Sequence, residues 1–196
     1  MADGIVIGGI SYPVLHSTTR HPIPVFAWHD PPGGIRVPEF RAGDGYNRAR
    51  TAPIDLCVVH WTGGEAEPDV MAETLRKRNL GVEFAISRLG NLFQFCDPAV
   101  VDTADAGIVN SRSVGLEVVC YGFAGRFSPT PKLGRDRDTY NAVTHGRTVR
   151  TAKFYPHQLA TLCALADTLS VAIPAIDRIV PPPEAVTTWL PVLERG

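Results

Sequence analysis

Paired cysteines are missing from this sequence. Cys57, Cys96, Cys120 and Cys163 are scattered with no CxxC spacing, which excludes the usual cysteine zinc sites and a disulfide framework and leaves free thiols as the expectation. An excess of basic charge is missing too, since 19 Lys and Arg stand against 20 Asp and Glu. Such a balance leaves no electrostatic footprint for nucleic acid and no polybasic patch for a membrane surface, so neither partner is expected. No apolar run reaches the roughly 20 residues of a transmembrane helix. The start, "MADGIVIGGISYPVL", lacks the basic region and the apolar length of a signal peptide. Synthesis in the cytoplasm is therefore expected, with any action on a cell wall following lysis or delivery within a particle. Internal repeats are absent as well.

What is present suits one α/β domain preceded by an arm. Residues 1–52 are rich in proline and glycine, with short strand-like pieces, "GIVIGGI" and "IPVFAW". They read as an irregular β/loop arm, and residues 53–196 as the domain proper. In "IDLCVVHWTGG", residues 54–64, Ile54, Leu56, Val58 and His60 alternate with Cys57, Val59 and Trp61, which predicts an interior strand that ends at His60 and breaks on Gly63 and Gly64. A helix follows in "EPDVMAETLRKR", opened by Pro68 with acids in its first turn and bases in its last. "GVEFAISRLG" and "NLFQFCD" predict a hairpin turning at Leu89, Gly90 and Asn91, and "SVGLEVVCYGF" another interior strand. Residues 123–153 are polar and charged, a surface excursion. In "YPHQLATLCALADTLS", Leu159, Leu162, Cys163, Ala166 and Leu169 form an apolar stripe on a helix that begins at Pro156. A last short helix is expected after the prolines at 181–183. This order of elements predicts a mixed sheet with helices packed on it.

Two residues stand out chemically. Taken alone, a histidine at a strand end reads as a hydrogen-bonded core residue. Glu117, however, projects from an apolar strand with Val119 on its face, and a buried carboxylate needs a cleft or a cation to face. The other histidines carry less: His29 lies in a turn-rich stretch, His145 in the polar excursion, and His157 off the apolar stripe.

The succession "VVHWTGG", helix, "GVEFAISRLGNLFQF", "ADAG" and "NSRSVGLEVVCYGF" resembles the type-2 N-acetylmuramoyl-L-alanine amidases, the family that takes in peptidoglycan recognition proteins and phage lysozyme-type amidases. The resemblance covers roughly residues 54–170. It implies a central mixed sheet flanked by helices, peptidoglycan as partner, and zinc-dependent hydrolysis of the amide between muramic acid and L-alanine. It places His60 at a zinc-ligand position and Glu117 at the acid/base position. Asp105, Asn110 and Arg112 fall where loop residues could contact sugar or peptide.

There are departures. The family's other two zinc ligands come from a late GH…DPG segment, and no histidine follows His157 here. A histidine common in the family is Asp105 in this chain, and a tyrosine–histidine pair is Val82 and Glu83. An improvised set of His60, Glu83 and Asp105 is the remaining metal option, although alternation turns Glu83 away from Val82 and the centre. Three functions stay open: a zinc amidase completed by ligands from elsewhere, a peptidoglycan-binding module with a degraded centre, and a component of a phage tail or contractile injection apparatus.

Overall fold

In the computed structural model, which describes residues 2–16, 18–31, 33, 35–64, 66–120, 139–144 and 147–180, a six-stranded mixed sheet forms the centre of the chain. The strands in chain order are β1 (Ile5–Ile7), β2 (Ile10–Tyr12), β3 (Val25–Ala27), β4 (Arg48–Ala49), β5 (Leu56–Trp61), β6 (Phe84–Ile86), β7 (Leu92–Gln94), β8 (Val101–Asp102), β9 (Ser113–Val118), β10 (Thr139–Thr144), β11 (Arg147–Ala152) and β12 (Arg178–Val180). Helix α1 spans Pro68–Lys77 and α2 spans Pro156–Ala172. The main sheet has the order β12-β5-β9-β6-β7-β3. Strands β12, β5, β9 and β6 are mutually parallel, and β7 turns back antiparallel on β6 with β3 parallel beside it. This is the expected mixed sheet.

Local chemistry explains the elements. Pro68 and Pro156 open the helices at positions where a missing N–H costs nothing. Gly90 takes φ +80° in the β6–β7 turn, a conformation that favours glycine, and Ser87 closes the turn by donating its N–H to the Asn91 carbonyl. On β9, Val114, Leu116 and Val118 are wholly buried, in one core cluster with Phe84, Ile86, Leu162, Leu165 and Leu169. A second cluster lies around α1, with Met71 and Ala72 against Ala85, Phe93 and Phe95.

The α2 stripe differs from the expected one. Cys163 is exposed and Ala166 only half-buried, whereas Gln158, Thr161, Leu162, Leu165 and Leu169 are buried. The helix is rotated because two polar residues find partners at strand ends. Gln158 donates through Nε2 to the Ser87 and Val119 carbonyls at 3.0 Å each, and Thr161 donates through Oγ1 to the Gly90 carbonyl at 2.6 Å. Apolarity alone does not register such satisfied polar groups.

The proline- and glycine-rich N-terminal segment is tied into this core. Ile5, Ile7, Val14 and Val25 belong to the same cluster as Leu116 and Leu165. The Gln94 side chain, wholly buried, donates to the Val6 carbonyl and accepts from the Val6 N–H, bonding β1 to β7. The segment also brings Asn47 and Arg50 beneath the loop after β8. Cys57, Cys96 and Cys120 are buried free thiols. Of the excursion at 123–153, strands β10 and β11 form an antiparallel hairpin. His145 and the expected last helix lie outside the described residues. Among the described residues no helix is long and apolar enough to cross a membrane.

Candidate functional site

The parallel register of β5 and β9 sets His60 directly beside Glu117, after Leu56 beside Ser113 and Val58 beside Gly115. Partners in register share a face, so Val58, His60, Gly115 and Glu117 project together while Cys57, Val114, Leu116 and Val118 enter the apolar core on the other side. The loop after β8 completes the group. His60 Nε2 lies 3.5 Å from Asp105 Oδ2, with the side chains 17% and 6% exposed. Asp105 reaches this position because residue 115 is glycine: a Cβ there would overlap the Asp105 carboxylate.

Glu117 is half-buried, and its Oε2 atom is shut off from solvent with no hydrogen-bond partner among the described residues. Burial pushes its carboxyl up to about 7, the Asp105 charge pushes in the same direction, and His60 and Arg78 oppose both. A carboxyl poised there can hold or release a proton near neutral pH, which suits acid/base work. A lone acid facing a polar centre is what the alternation of "SVGLEVV" predicts.

Beside this centre lies a second carboxylate in a different state. Glu83 is 1% exposed and its Oε1 lies 3.1 Å from Arg50 Nη2. Its Oε2 accepts the Thr103 hydroxyl and the Gly115 N–H, each at 2.7 Å. Burial raises the Glu83 carboxyl to about 7, as does Asp105, while Arg50 opposes. The expectation that Glu83 turns away from the centre needs correction. Ala85 pairs in register with Glu117, so Glu83, two residues earlier, falls on the same face as the centre, and its carboxylate takes up the Gly115 amide where the β6–β9 ladder stops.

The structure does not gather all the expected site residues. Asn110 caps its own loop, accepting the Ala106 N–H through Oδ1 at 2.6 Å. Arg112 pairs with Asp55 at the start of β9, about 16 Å from Glu117 at roughly 3.3 Å of strand per residue. Arg50 and Gly115 were not singled out from the sequence. The Gly between Val114 and Leu116 in an otherwise apolar strand is the one signal available, since strand glycines mark close approach by another group.

A catalytic zinc site takes three protein ligands and leaves a fourth position for water. Among the described residues no group of three or more His, Cys, Asp or Glu side chains is placed to hold a metal ion. His60 faces Asp105 instead, and Glu83 is committed to Arg50, Thr103 and Gly115. The residues described do not fit a zinc centre, and the improvised His60, Glu83 and Asp105 set is not assembled.

A family model described as N-acetylmuramoyl-L-alanine amidase matches residues 50–181. No curated protein matches the chain. Among solved structures, the chain aligns with the endolysin N-acetylmuramoyl-L-alanine amidase LysCS from Clostridium intestinale at 17% identity and a TM-score of 0.49, covering 78% of this chain and 84% of that one. It aligns with PGRP-SA from Apis mellifera at 13% identity and a TM-score of 0.48, covering 76% and 81%. A third alignment is with AmiD from E. coli, solved with a muropeptide substrate, at 18% identity and a TM-score of 0.48, covering 68% and 51%.

Proposed function

The chain belongs to the N-acetylmuramoyl-L-alanine amidase family, and from that membership we propose that its β5–β9 polar face is directed at peptidoglycan, at the link between muramic acid and the stem peptide. The observation that carries this reading is the in-register pairing of His60 with Glu117, with Asp105 closing on His60 at 3.5 Å. One sheet face thereby presents an imidazole, a carboxyl that titrates near 7 and a buried carboxylate side by side.

In the family, zinc activates the attacking water and polarises the amide carbonyl. The described donors here do not make that site, so the chain's own residues define what the face does. Glu117 offers a hydrogen bond to a bound amide, donating to its carbonyl when protonated and accepting from its N–H when ionised. The His60–Asp105 pair offers fixed partners for sugar or peptide polar groups. Turnover is expected to be poor and binding to persist, because imidazole and carboxylates can hold an amide without metal.

Purified sacculi provide the test. Wild-type chain should sediment with them, should release few stem peptides with or without added zinc, and His60→Ala should bind less. Robust zinc-dependent release that His60→Ala abolishes would instead mean a complete zinc site.

A further inference from the structure

We propose that Arg50 and Glu83 are positioning residues for this centre, a buried ion pair that rivets the base of the loop carrying Asp105 so that its carboxylate meets His60. The inference rests on reading that centre as functional. The two side chains are 4% and 1% exposed and 3.1 Å apart. Each reaches both ends of the loop. Arg50 donates to the Val101 carbonyl on the incoming side at 3.3 Å, and to the Ser111 and Ser113 carbonyls on the outgoing side at 3.0 and 2.8 Å. Glu83 accepts from the Thr103 hydroxyl on the incoming side and from the Gly115 N–H on the outgoing side. Asn47 adds a further tie, its Oδ1 accepting the Ala104 N–H at 3.0 Å.

Beyond these ties the loop has the Asn110–Ala106 bond within it and the contacts of Arg112 with Asp55 at its end, and Ala104 is its one buried apolar residue. The 3-10 turn, Gly107–Arg112, buries no residue, and Ile108 at the tip is fully exposed. A segment with so few buried apolar contacts opens easily unless polar ties fix it. The planar guanidinium, with its fork of donors, suits carbonyls converging from two directions in a way that a compact ammonium does not. A buried ion pair is also a poor source of net stability, since desolvation offsets its attraction. Its clear product here is the placement of Asp105 over Gly115 and beside His60.

The double variant Arg50→Met/Glu83→Gln separates placement from stability, because it replaces the pair with uncharged groups of similar length. Its melting temperature should fall less than that of Arg50→Met alone, which leaves the Glu83 charge buried without its partner. The His60 ring resonances, read by nitrogen–proton NMR, should move in the same direction as in Asp105→Ala, and amide exchange should quicken in residues 103–115. Leu169→Ala, a core change remote from the loop, should lower the melting temperature and leave the His60 resonances in place. His60 resonances unchanged in a folded double variant would overturn the proposal. Should that variant not fold, Thr103→Val, which removes one tie to Glu83, decides: a smaller displacement in the same direction supports the rivet, and none overturns it. The spectrum is read without peptidoglycan. Failure of sacculus binding with these responses intact would therefore sink the functional reading and leave the rivet standing.

Discussion

The two faces of β9 share a backbone and differ in everything else. On one, Val114, Leu116 and Val118 are wholly buried beneath α2, a surface where any well-shaped apolar side chain would serve. On the other, Ser113, Gly115 and Glu117 meet Arg50, Glu83, Asp105 and His60, each dependent on a particular partner. Apolar burial is non-directional and tolerates repacking. Buried polar groups must be matched atom by atom, and a half-matched one is costly. The first face accounts for folding and the second for a centre.

Substitutions should respond to this difference in graded fashion. The largest effect is expected for Arg50→Met alone, which strands Glu83 in a closed site and should cost about 3–5 kcal/mol, the usual penalty for breaking a buried pair; urea denaturation measures it. Leu116→Ala, on the apolar face, should cost about 2–5 kcal/mol through lost transfer energy and a cavity. It should leave sacculus binding per folded molecule unchanged, and a specific loss of binding would erase the distinction between the faces.

Acidity offers a third test. Glu83 and Glu117 are both raised from 4.5 to about 7, chiefly by burial. An acid with a raised folded-state pKa holds its proton more tightly when folded. Its contribution is present below 4.5 and is lost as pH rises towards 7. Urea midpoints should therefore fall between pH 5 and pH 7.5, and Glu117→Gln should flatten that slope. A slope unaltered by Glu117→Gln would place the carboxyl in water. The smallest effect is expected for Arg112→Ala. Its partner Asp55 is also solvated, and such pairs contribute little, so stability and sacculus binding should both stay near wild type.

How much of this could be read in the sequence follows from the same contrast. Strand β5, strand β9, the Gly90 turn and the two proline-opened helices are local patterns of period and punctuation, and they are where "IDLCVVHWTGG", "SVGLEVV" and the flanking residues put them. His60 and Glu117 were legible because each ends or interrupts an apolar alternation. That they share one site follows from the family resemblance, whereas their direct pairing comes from the register between strands 57 residues apart, which no local pattern encodes. Arg50 was invisible because its partners are carbonyls and a carboxylate gathered from distant segments. Asp105 was noticed as a departure from the family histidine, but its seat over Gly115 is tertiary. The α2 stripe was misread because Gln158 and Thr161 are buried through hydrogen bonds, which hydrophobic period cannot anticipate.

Co-sedimentation with purified sacculi, comparing wild type with Glu117→Leu, tests the central claim most directly. The leucine replaces a largely buried carboxyl with an apolar side chain, so the variant should fold about as stably. The account predicts that wild type sediments with sacculi and that an equally folded Glu117→Leu stays in the supernatant. Equal sedimentation of both proteins, or none by either, would contradict the assignment of this face to peptidoglycan.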